Sequence, residues 1–307
     1  MIFLSKTNDI QLINIANRHL QISISPANGG RVTSLYNKRM QREFLWTNPT
    51  LPLAINQEGD EYDPNFFGGI DELIPNDLPE TIDGIAYPDH GELWTTALNH
   101  EISGEQVTVS GQLRLSGLFY SKTVYLDEQS PIVHLRYKIK NYSGEPRHFL
   151  WKLHAALTIS EGAKVVSKAR HGQVVDTAYS RFSHTEKFSW PNIENTNAAI
   201  IPAKNGTMDF FYLFDEETGK MQLQSADNTA LFSYEYDPQI FPYQWYFASY
   251  GGFLDHYTAI LEPCTSMPIS VNDAAKLNQC TVLQPGEQLE TSVRIFAGRV
   301  NDPISIL

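Results

Sequence analysis

The chain has 307 residues, 42% of them hydrophobic and 19% charged, with a formal net charge of −12. An acidic field repels nucleic acid and anionic membrane surfaces, so neither is expected as a partner, whereas a small neutral ligand suits the charge. No apolar run approaches the roughly 20 residues that cross a bilayer. The opening MIFLSKTNDIQLINIA has no basic stretch followed by a long apolar core, so a cytoplasmic location is expected.

In chain order, NFFGGIDEL (65–73) reads as a helical turn or two. Strand patterns follow at VTVSGQLRL (107–115), SKTVYLD (121–127) and IVHLRYKIK (132–140). The last alternates strictly: Val133, Leu135, Tyr137 and Ile139 face one way, and His134, Arg136, Lys138 and Lys140 the other. That is the two-residue period of a half-buried antiparallel strand. WKLHAALTI (151–159), MDFFYLF (208–214), TALFSYEYD (229–237) and TSVRIFAG (291–298) continue the pattern. Turn signals such as DEQSP, NYSGEP, DEETGK and LQPGEQ lie among these strands, and only VNDAAKLN (271–278) reads as a short helix. No fixed-period repeat or low-complexity linker divides the chain. The expected fold is therefore all-β, a single-domain sandwich over 1–307 of large twisted antiparallel sheets, with a concave face where polar side chains converge.

Several polar residues stand out against this background. On the strand 151–159, Trp151, Leu153, Ala155 and Leu157 share the apolar face, so His154 projects from the other beside the small Ala156. It is either a solvated histidine or one with room above it for a ligand. Its ordinary pKa near 6.5 suits proton transfer around neutral pH. Glu262, before a proline in AILEPCTSMP (259–268), is expected where a strand leaves the sheet; partial burial there makes a carboxylate a better base. YPDHGELW (87–94) sets His90 and Glu92 around Gly91, and GGIDELIPND (68–77) carries Glu72. The aromatic stretch FPYQWYFASYGG (241–252) is core in the plain reading, with Trp245 a candidate face for a sugar ring. Cys264 and Cys280 are expected to be reduced and structural. No phosphate loop, dinucleotide fingerprint, HExxH, CxxC or nucleophile elbow is present, so neither cofactor nor metal is expected.

Four segments taken together resemble the aldose 1-epimerase (galactose mutarotase-like) superfamily. They are ISISPANGGRVTSLYNK; GGIDELIPND with YPDHGELW; WKLHAAL; and ILEPCTSMP followed by LQPGEQ. The resemblance runs along nearly the whole chain and rests on order and spacing, since each motif is short. It implies a β-supersandwich with a cofactor-free site. In that site His154 is the general acid, Glu262 the general base, and His90 a hydrogen-bonding partner of the bound sugar. The Asn–Arg pair and the Gly-Tyr-Asp-His stretch usual in galactose mutarotases are missing. Where the sugar-phosphate branch usually has arginines, this chain has Phe67 and Trp94. Losing those bidentate grips points to an unphosphorylated aldose. Glu72 and Glu92 are then expected to hold sugar hydroxyls, with Glu92 and Trp94 setting specificity and Gly91 letting the backbone pass close to the ligand. The alternatives are a non-catalytic carbohydrate-binding protein, and a sugar-phosphate epimerase with a basic pocket built on Arg31 and Lys152. A monomer or homodimer fits any of these readings.

Overall fold

The computed structural model describes residues 1–302. Two large sheets pack face to face. The first has twelve strands. Its path runs Ile2–Thr7, Ile10–Ala16, Leu20–Ser25, Arg31–Asn37, Ile70–Leu73, Lys152–Thr158, Tyr257–Cys264, Tyr243–Tyr250, Thr207–Phe214, His171–Val174, Phe188–Ser189, with Arg42–Glu43 paired to Arg31–Asn37. The second has eight: Lys164–Ser167, Lys220–Gln224, Ala230–Glu235, Gln288–Arg299, Ile132–Asn141, Leu118–Leu126, Gln106–Gln112 and Asn99–Ser103. The all-β sandwich expected from periodicity is the observed architecture.

Alternation explains the packing. Along Ile132–Asn141 the predicted inward residues Val133, Leu135, Tyr137 and Ile139 are buried, while Arg136 is exposed and His134, Lys138 and Lys140 are half-buried. Leu153, Ala155 and Leu157 enter the same core from the opposing sheet. The short helix forms at Val271–Lys276, and the Ser270 side chain caps it by accepting from the Asp273 amide.

The segment 65–73 departs from its helical expectation. A single 3₁₀ turn covers Asp63–Asn65, and Ile70–Leu73 is a strand in the middle of the large sheet. Gly68 and Gly69 have φ of 92° and 83°, and a Cβ on either would fall within 2.4 Å of a backbone oxygen of Trp46 or Val32. The pair lets the chain turn into the sheet against its neighbours, so the glycines serve strand entry rather than a helix. Glu262 also differs from expectation. Its strand does not end there but continues through Pro263 to Cys264.

Within Ile70–Leu73 the pleat sends Asp71 and Glu72 to opposite faces. Glu72 enters the core between the sheets, where both its oxygens accept from the Lys122 ammonium, at 2.9 and 2.7 Å, and one accepts from the Tyr137 hydroxyl at 2.7 Å. Lys122 also donates to the Gly30 carbonyl. This pair ties the two sheets together and is fully desolvated. Removing one partner strands a charge. Lys122→Met should therefore cost about 3–5 kcal/mol of unfolding free energy, and the double variant Glu72→Met/Lys122→Met should recover most of it, as read by urea denaturation.

Candidate active site

Three neighbouring strands build the floor of a pocket on the face of the twelve-stranded sheet turned away from the core. The ladders pair His154 with Asp71 on one side, and Lys152 with Cys264 and Ala155 with Leu261 on the other. In that register His154 stands opposite Glu262. Residues directly opposite have Cβ atoms roughly 4.5–5.5 Å apart, so Asp71, His154 and Glu262 form one row. The cavity above is about 320 Å³ and is lined by His154, Glu262, Lys152, His90, Asp77 and Tyr62, among others. Phe66, Phe210, Phe247 and Phe253 give it apolar walls.

His154 is only 4% exposed, so it is not a solvated surface histidine. Its Nδ1 lies 3.4 Å from the Tyr62 hydroxyl, which donates to Asp71 at 3.0 Å. Asp71 is in turn gripped by Nε and Nη2 of the buried Arg31. Burial, and after it the positive charges of Lys152, His90 and Arg31, push the His154 pKa well below the usual imidazole range. For a group expected to donate a proton near neutral pH, that push is in the wrong direction.

His90 shows the reverse. It sits at φ 58° in the turn after Pro88, with its amide donating to the Asp77 carbonyl at 2.7 Å. Its ring stacks on Tyr62 with centroids 4.0 Å apart. Nδ1 is 2.9 Å from Asp89 and Nε2 4.0 Å from Asp77. Burial works to lower its pKa, but Asp77 and Asp89 together outweigh it and raise the value. The imidazole expected only to hold a sugar is the one whose charged form its neighbours favour.

Lys152 occupies the centre. Its ammonium is 2.6 Å from Glu262 Oε2, contacts Asp77, and rests 4.7 Å from the centre of the Trp245 ring. Burial opposes its charge, yet the two carboxylates raise its pKa. The carboxylates respond differently. Asp77, close to both Lys152 and His90, is held below its ordinary value against the cost of burial. For Glu262 burial prevails over Lys152, and its pKa is raised.

Of the residues singled out in the sequence, His90, His154 and Glu262 meet at this pocket. Glu72 does not: it faces the core, bound to Lys122. Nor does Glu92, whose oxygens accept from the amides of Leu115 and Ser116 at 2.7 and 3.0 Å and so brace a turn. Trp245 is fully buried, its Nε1 donating to the Ser266 carbonyl, with Lys152 lying over its ring. Trp94 is buried with its ring edge-on to Tyr62. A Cβ on Gly91 would meet the Ile74 carbonyl at 2.2 Å, so the close approach made there is to the chain itself, not to a ligand. Arg31 is spent on Asp71, inside the protein. The sequence does not single out Asp71, Tyr62 or Asp77, and it points to Lys152 only as a phosphate contact. Parity offers one signal, since Asp71 must share the site face when Glu72 does not. Among the described residues, Asp63, Asp89 and His90 place ligand atoms within 4.8 Å of one another at this pocket, but His90 and Asp89 already pair with each other.

No family model matches the chain. Its fold is that of galactose mutarotase-like proteins. A galactose mutarotase-like protein from Clostridium acetobutylicum superposes with a TM-score of 0.71 at 14% identity, covering 97% of this chain and 98% of that one. A galactose mutarotase related enzyme from Lactobacillus acidophilus gives 0.68 at 13%, covering 96% and 100%. A TPR-domain containing protein from Parabacteroides distasonis gives 0.69 at 14%; the match takes in 97% of this chain and 48% of that longer one.

If Glu92 braces a turn, Glu92→Ala should lower unfolding stability by about 1–3 kcal/mol, read by urea denaturation, through the two amides it strands.

Proposed function

We propose that the protein is an aldose 1-epimerase acting on an unphosphorylated aldose. The observation that carries this reading is the facing of His154 and Glu262 across two adjacent strands, on the floor of a cavity with apolar walls. Anomer exchange needs one group to take the proton of the C1 hydroxyl and another to protonate the ring oxygen. The ring then opens, C1–C2 rotates, and closure reverses both transfers. Each group must therefore act in both directions. A carboxyl pushed up and an imidazole pushed down shift the proton's preference from His154 toward Glu262. The aromatic walls suit the apolar faces of a sugar ring.

Charge supports an unphosphorylated substrate. Asp63, Asp77, Asp89, Asp176 and Glu262 line the pocket, and Lys152 is the lysine or arginine that joins them. That ammonium is already shared by two carboxylates. A dianionic phosphate would meet net negative charge there. The names of two neighbours, one a galactose mutarotase-like protein and one a galactose mutarotase related enzyme, fit the same reading.

The test is anomer exchange followed by NMR or optical rotation on a panel of aldoses. Wild type should accelerate exchange of at least one free sugar. His154→Ala and Glu262→Gln should each reduce the rate by about 10²–10⁴-fold while circular dichroism shows the fold intact. Binding without acceleration, with both variants harmless to affinity, would instead identify a carbohydrate-binding protein. Tighter binding of a phosphorylated sugar would overturn the substrate class.

A further inference from the structure

The floor of the cavity is graded along its strands. On Lys152–Thr158 the outward positions are Lys152, His154 and Ala156 in turn, and the ladders extend each into a row. Lys152 lies beside Asp77 and Glu262 at the polar end. His154 stands opposite Glu262 in the middle. Beyond it Ala156 pairs with Ile260, Ile260 with Phe247, and Phe247 with Phe210, a row without one hydrogen-bonding side chain. Strands rise about 3.4 Å per residue, so these rows follow one another at roughly 7 Å, the scale of a pyranose with its substituents.

Aromatic rings enclose the apolar end. Ring centroids run from Phe210 to Phe247 at 5.7 Å, on to Phe253 at 5.5 Å, to His256 at 6.1 Å and to Phe66 at 6.2 Å, and all five side chains line the cavity. One aromatic face is enough to stack a sugar, whose hydroxyls lie round the rim of its ring. Rings set on several sides of one space leave a hydroxyl there without a partner, and a stranded hydroxyl costs binding. The polar groups at this end are engaged or stand outside it. The Thr258 hydroxyl donates to the Leu157 carbonyl at 2.9 Å, and the Asn48 amide nitrogen lies 3.3 Å from His256 Nε2. Asp176 and Tyr179 are exposed at the rim.

We propose that this end is a subsite for an apolar group on C5 of the aldose, which makes the substrate class 6-deoxyaldoses rather than hexoses with a C6 hydroxyl. The inference rests on the epimerase reading, because it sets the C1–O5 bond over His154 and Glu262. That bond has two flanks. On one stands C2, which carries a hydroxyl; on the other stands C5, which carries C6. With the bond over the middle row, the C2 and C3 hydroxyls turn to the end built from Lys152, Asp77 and His90, and C6 falls over Ile260 and Phe247. A methyl group there is stabilised by burial among apolar side chains, whereas a hydroxyl would leave water for a place with nothing to bond.

The test uses two series of fixed ring configuration, D-galactose with 6-deoxy-D-galactose and L-arabinose, and D-glucose with 6-deoxy-D-glucose and D-xylose. Within each, C5 carries hydroxymethyl, methyl or hydrogen. Calorimetry reads binding and NMR reads anomer exchange. In at least one series the 6-deoxy sugar should bind at least about tenfold more tightly than the hexose, and more tightly than the pentose that leaves the subsite empty. Phe247→Asn and Phe253→Asn, with the fold checked by circular dichroism, should each bring the ratio of 6-deoxy sugar to hexose toward one, and Phe247→Leu should keep it. A hexose bound as tightly as its 6-deoxy analogue in both series, or a preference that both asparagine variants leave unchanged, overturns the subsite even if the protein epimerises sugars. A 6-deoxy preference in binding with no anomer exchange of any sugar supports the subsite and overturns the epimerase reading instead.

Discussion

The pleat of three neighbouring strands at the middle of the large sheet is the constraint on which the rest of the molecule depends. Along Ile70–Leu73, Lys152–Thr158 and Tyr257–Cys264, odd and even positions face opposite ways. One set, Leu153, Ala155, Leu157, Ala259 and Leu261, closes the core between the sheets. The other raises Asp71, His154 and Glu262 in a row under the cavity. A slip of one residue in any of these strands would bury the chemistry and expose the packing, so the hydrophobic core fixes the register of the site.

Charges follow the same division. On the core side, Glu72 and Lys122 form a closed pair whose remaining bonding capacity goes to Tyr137 and Gly30. Below the pocket, Arg31 and Asp71 form another. Both are balanced one to one. At Lys152, on the floor of the cavity, a single cation instead meets two carboxylates, Asp77 and Glu262. Balanced buried pairs are mechanical; an unbalanced one changes its protonation at lower cost.

Much of this was legible in the sequence. Strict alternation over 132–140 marked a half-buried strand, and the order of short motifs around His90, His154 and Glu262 marked the residues that converge. What stayed hidden depends on distant parts of the chain. Glu72 and Glu92 look like free acids in sequence, and only their partners, Lys122 and the amides of 115 and 116, show them to be structural. Tyr62 lies 92 residues from His154 with no motif around it. Lys152 could not be distinguished from a phosphate contact until Asp77 was seen to hold it. The helix expected over 65–73 failed because apolar spacing in a short segment cannot reveal a Gly-Gly entry into a central strand.

The strand Lys152–Thr158 is buried on both faces for all but its last residue. Three of its outward positions hold Lys152, His154 and Ala156, and the first two are tied to partners on other segments. Such a floor has little freedom to drift: a change there disturbs an ion pair or a hydrogen-bonded chain as well as a contact with ligand. The rim is built differently, from residues of short 3₁₀ turns and loops such as Asp63, Asp89, Asp176 and Tyr179. In descendants of this chain, change would gather at the rim, while the floor would be inherited unaltered.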